Sequence, residues 1–397
     1  MTQLIKAKNN EITEQMNYIV SEEDIDPNLL REHISKGWVV IPANKEHKNL
    51  KPIGIGKGLR IKVNANMGAS PDRLNPEAEL EKLNVALKAG ADTIMDLTIH
   101  PKPEYIDEIR RAVVKNSMVP VGTVPIYQAA VEAGGPGKLS LQKYLKVFEK
   151  QAKDGVDFTT VHAGVTIDAF PLVNMRLMAV VSRGGSFLLN WMKKNNKESF
   201  LYEHFNEVLD IAKEYDVTIS LGDGLRPGCI EDATDEAQIL ELRKLGRLAS
   251  MCRDEGVQVM IEGPGHIPLD QIEENIWLEK EYCSNAPFYV LGPLPVDTAA
   301  GYDHIAGAIG GALAGMYGAD FLCYLTPKEH IGLPDVKDVR EGVIVTKIAA
   351  HAVDVARNNE EAVKQNRLMS IAREKRDWDE MLKHVIDPDR FKIDLRI

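Results

Sequence analysis

The sequence predicts an α/β protein, and within that class a (β/α)8 TIM barrel with an N-terminal helical and wrapping segment and C-terminal helices. Three observations carry the prediction. Short β-branched apolar runs recur between the sixties and the three-twenties, amphipathic stretches of helix length lie between most of them, and the runs are apolar throughout rather than alternating. Alternating strand and helix signals indicate a parallel sheet, and strands apolar on both sides are covered on both faces. Eight or nine such units over about 270 residues suit a closed barrel better than a doubly wound open sheet, which is the runner-up.

Taken in order, residues 1–55 read as helix followed by an irregular wrap, because "VVIPANKEHKNLKPIGIGKGL" scatters prolines and glycines that interrupt either period. The barrel is expected over 56–335. Its candidate strands lie in "GLRIKVNAN", "ADTIMDLT", "VPVGTVPIY", "FTTVHAG", "AVVSRGG", "VTISLGDG", "VQVMIEGPG", "FYVLGPL" and "FLCYLTP". Between them, segments such as "PEAELEKLNVALKAG" and "LYEHFNEVLDIAKEYD" repeat apolar residues at spacings of three and four, the helical period. On this reading the strands end at Asn66, Met95, Tyr127, His162, Arg183, Asp223, Glu262, Tyr289 and His330, so their side chains converge on the carboxyl rim, where barrel enzymes keep their chemistry. Residues 336–397 are expected to form two or three charged helices.

Composition narrows the function classes. With 397 residues, 44% of them hydrophobic, the chain can build one large core plus appendages. A formal net charge of -11 argues against a general nucleic-acid or anionic-membrane surface, although a few local arginines suffice for a small phosphorylated ligand. Cys229, Cys252, Cys283 and Cys323 form no C-x-x-C pair, so neither a disulfide framework nor a thiolate zinc site is legible. The amino terminus has no apolar run of signal-peptide or membrane-span length, and a reducing cytoplasm is expected.

Several short stretches can carry chemistry, and each also has a structural reading. His266, held by "GPG", and His330, closing "TPKEH", can share a divalent metal through neutral imidazoles, or can be loop histidines bonded to backbone. "SRGG" (182–185) and "LGDGLRPG" (221–228) offer arginines and exposed backbone amides to a phosphate, or are tight turns with surface ion pairs. Glu262 suits a general acid or base, or an acceptor for an amine, or a loop cap. Tyr127, His162, Tyr289 and Asn66 can bond a ring or phosphate, or satisfy their own surroundings. "GIGKG" (54–58) is too short for a nucleotide fingerprint.

Together "VPVGTVPIYQA", "VHAGV", "VSRGGS", "SLGDGLRPG", "QVMIEGPGH", "APFYVLGPL", "GYDHI" and "CYLTPKEHIGLP" resemble the phosphomethylpyrimidine synthase family of thiamin biosynthesis and its paralogs, the 5-hydroxybenzimidazole synthases of cobamide lower-ligand biosynthesis. The resemblance runs from near the amino terminus to about residue 375. It implies a radical S-adenosylmethionine enzyme acting on 5-aminoimidazole ribotide, with a 4Fe-4S cluster, a divalent metal (zinc), and a homodimeric state. Carried over residue by residue, substrate contacts fall on Asn66, Met95, Tyr127, His162, Ser182, Arg183, Gly184, Asp223, Gly224, Leu225, Arg226, Glu262 and Tyr289. The resemblance likewise puts the metal on His266 and His330 and a catalytic part on Glu262, His266 and His330.

Two stretches depart from the family pattern. The family carries its cluster on a C-terminal Cys-x2-Cys-x4-Cys tail, which is not written before Ile397, so a tail beyond 397 is expected; a cluster-less ribotide-binding protein is the reading from another class, and a metal-dependent lyase a third. Thiamin-pathway members read close to "MDLSTGG" where this chain has "MDLTIHPKPEYIDEIR" (95–110), and "NMRLMAVVSRGG" departs from the usual approach to its arginine. A reshaped product channel near His100, Pro101, Pro103 and Tyr105 makes 5-hydroxybenzimidazole the expected product, with the pyrimidine phosphate as alternative.

Overall fold

The computed structural model describes residues 1–69 and 76–394. A short antiparallel ladder, β1 (Val39–Val40) with β2 (Ile55–Gly56), precedes a closed barrel of eight parallel strands. These are β3 (Lys62–Met67), β4 (Thr93–Asp96), β5 (Val121–Thr123), β6 (Phe158–Val161), β7 (Thr218–Leu221), β8 (Val259–Gly263), β9 (Phe288–Leu291) and β10 (Phe321–Cys323), which returns to pair with β3. Both sides of the strands are covered, and every residue of the eight but Asn66, Glu262 and Leu291 is buried, polar ones such as Asn64, Thr160 and Ser220 included. Phe158, Ile219, Ile261, Phe288 and Phe321 are all buried, packed between the barrel interior and the outer helices.

The outer helices form where the three-and-four spacing predicts. Helix Leu141–Lys153 buries Tyr144, Val147, Phe148, Gln151 and Ala152 on one face, and Ser140 caps it by accepting the Lys143 N–H. Helix Val336–Ala356 packs against helices Asp303–Tyr317 and Pro76–Lys88 and against β3, so residues beyond 335 supply the eighth outer helix. Three further helices follow, Glu360–Lys375, Trp378–His384 and Pro388–Asp394, one or two more in all than the charge pattern suggested.

The segment before the barrel builds its own small core from Met16, Ile19, Leu30 and Ile34, then closes the amino-terminal end of the barrel. Asn44 Nδ2 donates to the carbonyls of Ala152 and Val156, His47 bonds Asp157 at 2.7 Å, and the Ile41 N–H donates to Gln258. That packing leaves the carboxyl end of the strands as the mouth. No helix among the described residues is long and apolar enough to cross a membrane.

Three expected strand ends are corrected. "AVVSRGG" makes no strand: Arg176 grips Asp235 and the Leu225 carbonyl, the Leu177 and Met178 N–H groups donate to Asp232, and Met175, Leu177 and Met178 face solvent. Side chains, not a ladder, hold that stretch. Tyr127 lies in helix Pro125–Ala133, because Pro125 starts a helix two residues after β5 ends. His330 sits in the turn region after β10 rather than at its tip.

Candidate functional site

A cavity of about 520 Å³ opens at the carboxyl end of the barrel, a size suited to a small ligand. Asn66, Met95, Tyr127, His162, Asp223, Arg226, Glu262 and Tyr289, all expected at the site, line it. Strand register explains part of this convergence. Asn66 pairs with Met95 across β3 and β4, and Glu262 with Tyr289 across β8 and β9, so each pair presents side chains to the same side.

Ser182, Arg183, Gly184, Gly224 and Leu225 form the wall behind the lining. Ser182 caps helix Arg183–Asn195 by accepting the Gly185 N–H at 3.2 Å. Gly184 lies so close to the His162 ring that a Cβ would sit 2.3 Å from it, and a Cβ on Gly185 would sit 2.1 Å from the Gly224 carbonyl oxygen. The helix start therefore abuts both His162 and the Asp223–Arg226 turn. Arg183 is exposed at the rim, its guanidinium 5.3 Å from the Tyr127 ring centre.

Glu262 is held by two hydroxyls from neighbouring strands: Thr160 Oγ1 donates to its Oε1 at 2.6 Å and Ser220 Oγ at 2.8 Å. Burial raises its ionisation above the carboxylate range against these bonds. Asp223, 3.2 Å from Arg226, is pushed to about 7 by burial despite that guanidinium. Burial lowers His162 to about 3, so its imidazole is neutral at physiological pH, and its Nδ1 has no partner. Tyr289 stacks on Phe321 at 4.1 Å and hydrogen-bonds Cys323, whose thiol burial pushes to about 12. Asn66 Nδ2 donates to the same sulfur at 3.1 Å. Thr160 and Ser220 carry no site signal in the sequence, and Cys323 enters it only as one of four cysteines that form no C-x-x-C pair.

His266 and His330 come together with ring centres 5.1 Å apart. The loop carrying His266 is pinned by Leu294, whose N–H donates to the Gly265 carbonyl and whose own carbonyl accepts the Ile267 N–H. Asp297 bonds His266 Nδ1 at 2.7 Å and Asp303 bonds His330 Nδ1 at 2.8 Å, which fixes each tautomer and leaves both Nε2 atoms free. This donor set fits a divalent metal with two protein ligands and open positions. Among the described residues no group of three such ligands gathers. Asp303 belongs to the quoted "GYDHI", whereas Asp297 carried no signal. Neither imidazole is among the residues that line the cavity; Gly263, three residues before His266, is. The four cysteines are buried thiols on separate elements and do not fit a three-thiolate cluster site.

Against known proteins, the family description "Radical SAM ThiC family" matches residues 2–394. The chain belongs to the radical SAM ThiC family. ThiC-family relatives named phosphomethylpyrimidine synthase include that of Carboxydothermus hydrogenoformans, 55% identical over 98% of this chain and 92% of that one. Those of Thermoanaerobacter sp. and Dehalococcoides mccartyi are 54% and 53% identical, over 98% and 99% of this chain and 91% and 92% of theirs. Among solved structures, a dihydropteroate synthase of Xanthomonas albilineans aligns with a TM-score of 0.49 and 11% identity, over 80% of this chain and 99% of that one. The names of the ThiC relatives favour the pyrimidine branch over the benzimidazole branch expected above. In the stretch behind that expectation Met95 and Leu97 line the cavity, while His100 Nδ1 accepts the Lys102 N–H of its own turn at 3.1 Å and its ring meets Tyr105 edge-on.

Proposed function

We propose that this chain acts as a phosphomethylpyrimidine synthase, binding 5-aminoimidazole ribotide in the barrel mouth and converting it to the pyrimidine phosphate of thiamin biosynthesis. One observation carries the reading. Arginines and a helix start lie on one side of a cavity of about 520 Å³, and a neutral imidazole, an amide and a strapped carboxyl lie around the rest. Arg183, Arg226 and the first N–H groups of helix Arg183–Asn195 suit a phosphate, since a helix start and a guanidinium both favour an anion. Glu262, whose pKa burial raises, suits an amine or an exchanging proton on the base. The neutral His162 and Asn66 suit ring nitrogens and hydroxyls.

His266 and His330 would hold the divalent metal, zinc by family resemblance, which when bound polarises an oxygen or nitrogen of its ligand. S-adenosylmethionine and a 4Fe-4S cluster are implied by the family, and since the cysteines of this chain do not fit that cluster, the roles assigned here end at binding, orientation and proton placement. The test is anaerobic turnover of 5-aminoimidazole ribotide by the reconstituted protein, with mass spectrometry of the product. The pyrimidine phosphate is expected; 5-hydroxybenzimidazole would overturn the product assignment, and unchanged ribotide would overturn the activity.

A further inference from the structure

A second chamber, of about 320 Å³, lies behind the wall of the first. Asp223, Arg226 and Glu262 bound it on the barrel side, and Gln238, Glu241 and Asn275 close it from helices Glu236–Asp254 and Leu269–Tyr282. Glu241 and Asp223 are both buried, and each has one engaged and one unengaged oxygen. Asp223 Oδ1 meets Arg226 at 3.2 Å and Glu241 Oε2 accepts the Leu225 N–H at 2.7 Å, while Asp223 Oδ2 and Glu241 Oε1 have no partner. A buried, unsatisfied carboxylate oxygen is costly, and two such groups in mutual repulsion do not both ionise. The barrel side makes no use of Glu241, so its placement calls for a role.

Resting on the ribotide reading above, we propose that Glu241 is a positioning residue for the ligand pocket: across this chamber it and Asp223 hold one proton between them, and that proton decides how firmly Asp223 retains Arg226. A phosphate that draws Arg226 towards itself leaves the Asp223 charge uncovered. The proton taken up from solvent by the pair covers it, so an anionic ligand and a proton enter together. The surroundings allow this exchange near neutrality. Asp223 faces Arg226 and Glu262, with Tyr127 and Tyr289 also in its field, and Glu241 faces Asp223 and Arg176. Arg176 is already committed to Asp235 and to the Leu225 and Arg226 carbonyls, which leaves the two acids to settle the proton between themselves. Burial raises Asp223 to about 7 and Glu241 to about 8.

The test compares the full chain with Glu241→Gln, whose amide oxygen still accepts the Leu225 N–H. The carboxylic-acid stretch in infrared difference spectra is followed against pH, without ligand. In the unaltered protein buried protons, those of Asp216 and Glu279 among them, should leave between about pH 6 and 9, and the pair's share is the part of that loss that changes in the variants. In Glu241→Gln the Asp223 signal should move to lower pH, because Glu262 is then the one carboxylate of the wall that still opposes its ionisation. Asp223→Asn reads the same coupling from the other side and should lower the Glu241 titration. Calorimetry with 5-aminoimidazole ribotide, in buffers of different ionisation enthalpy, should show proton uptake that shrinks in Glu241→Gln. Unmoved titrations in both variants, with ribotide still bound, would overturn the shared proton and leave the ribotide reading standing. Shifted titrations in a protein that ignores ribotide would support the pair and overturn the ligand.

Discussion

Gly185→Ala sets two effects of opposite sign against each other. In a helix interior the change from glycine to alanine is favourable by about 1 kcal/mol. Here the new Cβ would sit 2.1 Å from the Gly224 carbonyl oxygen, where 3.0 Å is the closest approach real Cβ atoms make, so 3.0 − 2.1 = 0.9 Å of backbone must give way. Overpacking of this kind costs about 1–3 kcal/mol. Moving Gly224 also pulls the adjacent Leu225 N–H from Glu241, a buried bond of 2.7 Å whose loss costs about 1–3 kcal/mol more. The steric and hydrogen-bond losses win, for a net destabilisation of about 1–5 kcal/mol. Because Gly224 lies between Asp223 and Arg226, ribotide affinity should fall as well, by about 10- to 100-fold. Urea unfolding and calorimetric titration with ribotide measure the two, and Asn190→Ala, at an exposed position of the same helix, serves as the propensity control. A Gly185→Ala protein as stable as the parent with undiminished affinity would refute the close contact between helix and loop.

Arg183→Ala should leave the unfolding midpoint nearly unchanged, since the side chain is exposed, while weakening ribotide binding about tenfold. Asp297→Asn, which keeps the shape but lowers the acceptor strength beside His266, should reduce zinc affinity about 10- to 100-fold in a competition titration with a chelating dye. Stability should decline between about pH 5 and 8. Burial holds Asp216 and Glu279 near 7, like Asp223, and Glu241 near 8, so over that range the folded chain keeps protons that the unfolded chain gives up. The neutral His162 works the other way below 6.5, where the unfolded chain takes up a proton, and His33, His266, His304 and His351, also lowered by burial, work with it, so the decline is clearest above 6.5. A thermal midpoint that rose steadily from pH 5 to pH 8 would contradict this balance.

The strands were legible where burial on both faces writes itself as a short apolar run, as in "VMI" before Glu262. The same signal misled at "AVVSRGG", where Met175, Leu177 and Met178 are exposed and Arg176, Asp232 and Asp235 do the holding. Periodicity carries no record of which apolar residues face water. Asn66, Met95, Tyr127, Asp223, Arg226 and Glu262, picked out by family motifs, all line one cavity, whereas Thr160 and Ser220 are ordinary strand residues until barrel closure aims both at one carboxyl oxygen. The product branch is not legible from His100, since a sequence shows a residue's neighbours in the chain but not that its ring turns onto Tyr105.

Thr160, Ser220 and Glu262 belong to three successive staves, β6, β7 and β8, joined at a single oxygen. Whatever claims that oxygen from the cavity also loosens the stave binding. Occupancy of the mouth is thereby converted into a change in how readily this side of the barrel breathes, and amide hydrogen exchange in those three strands should register a bound guest even where it touches none of their backbone.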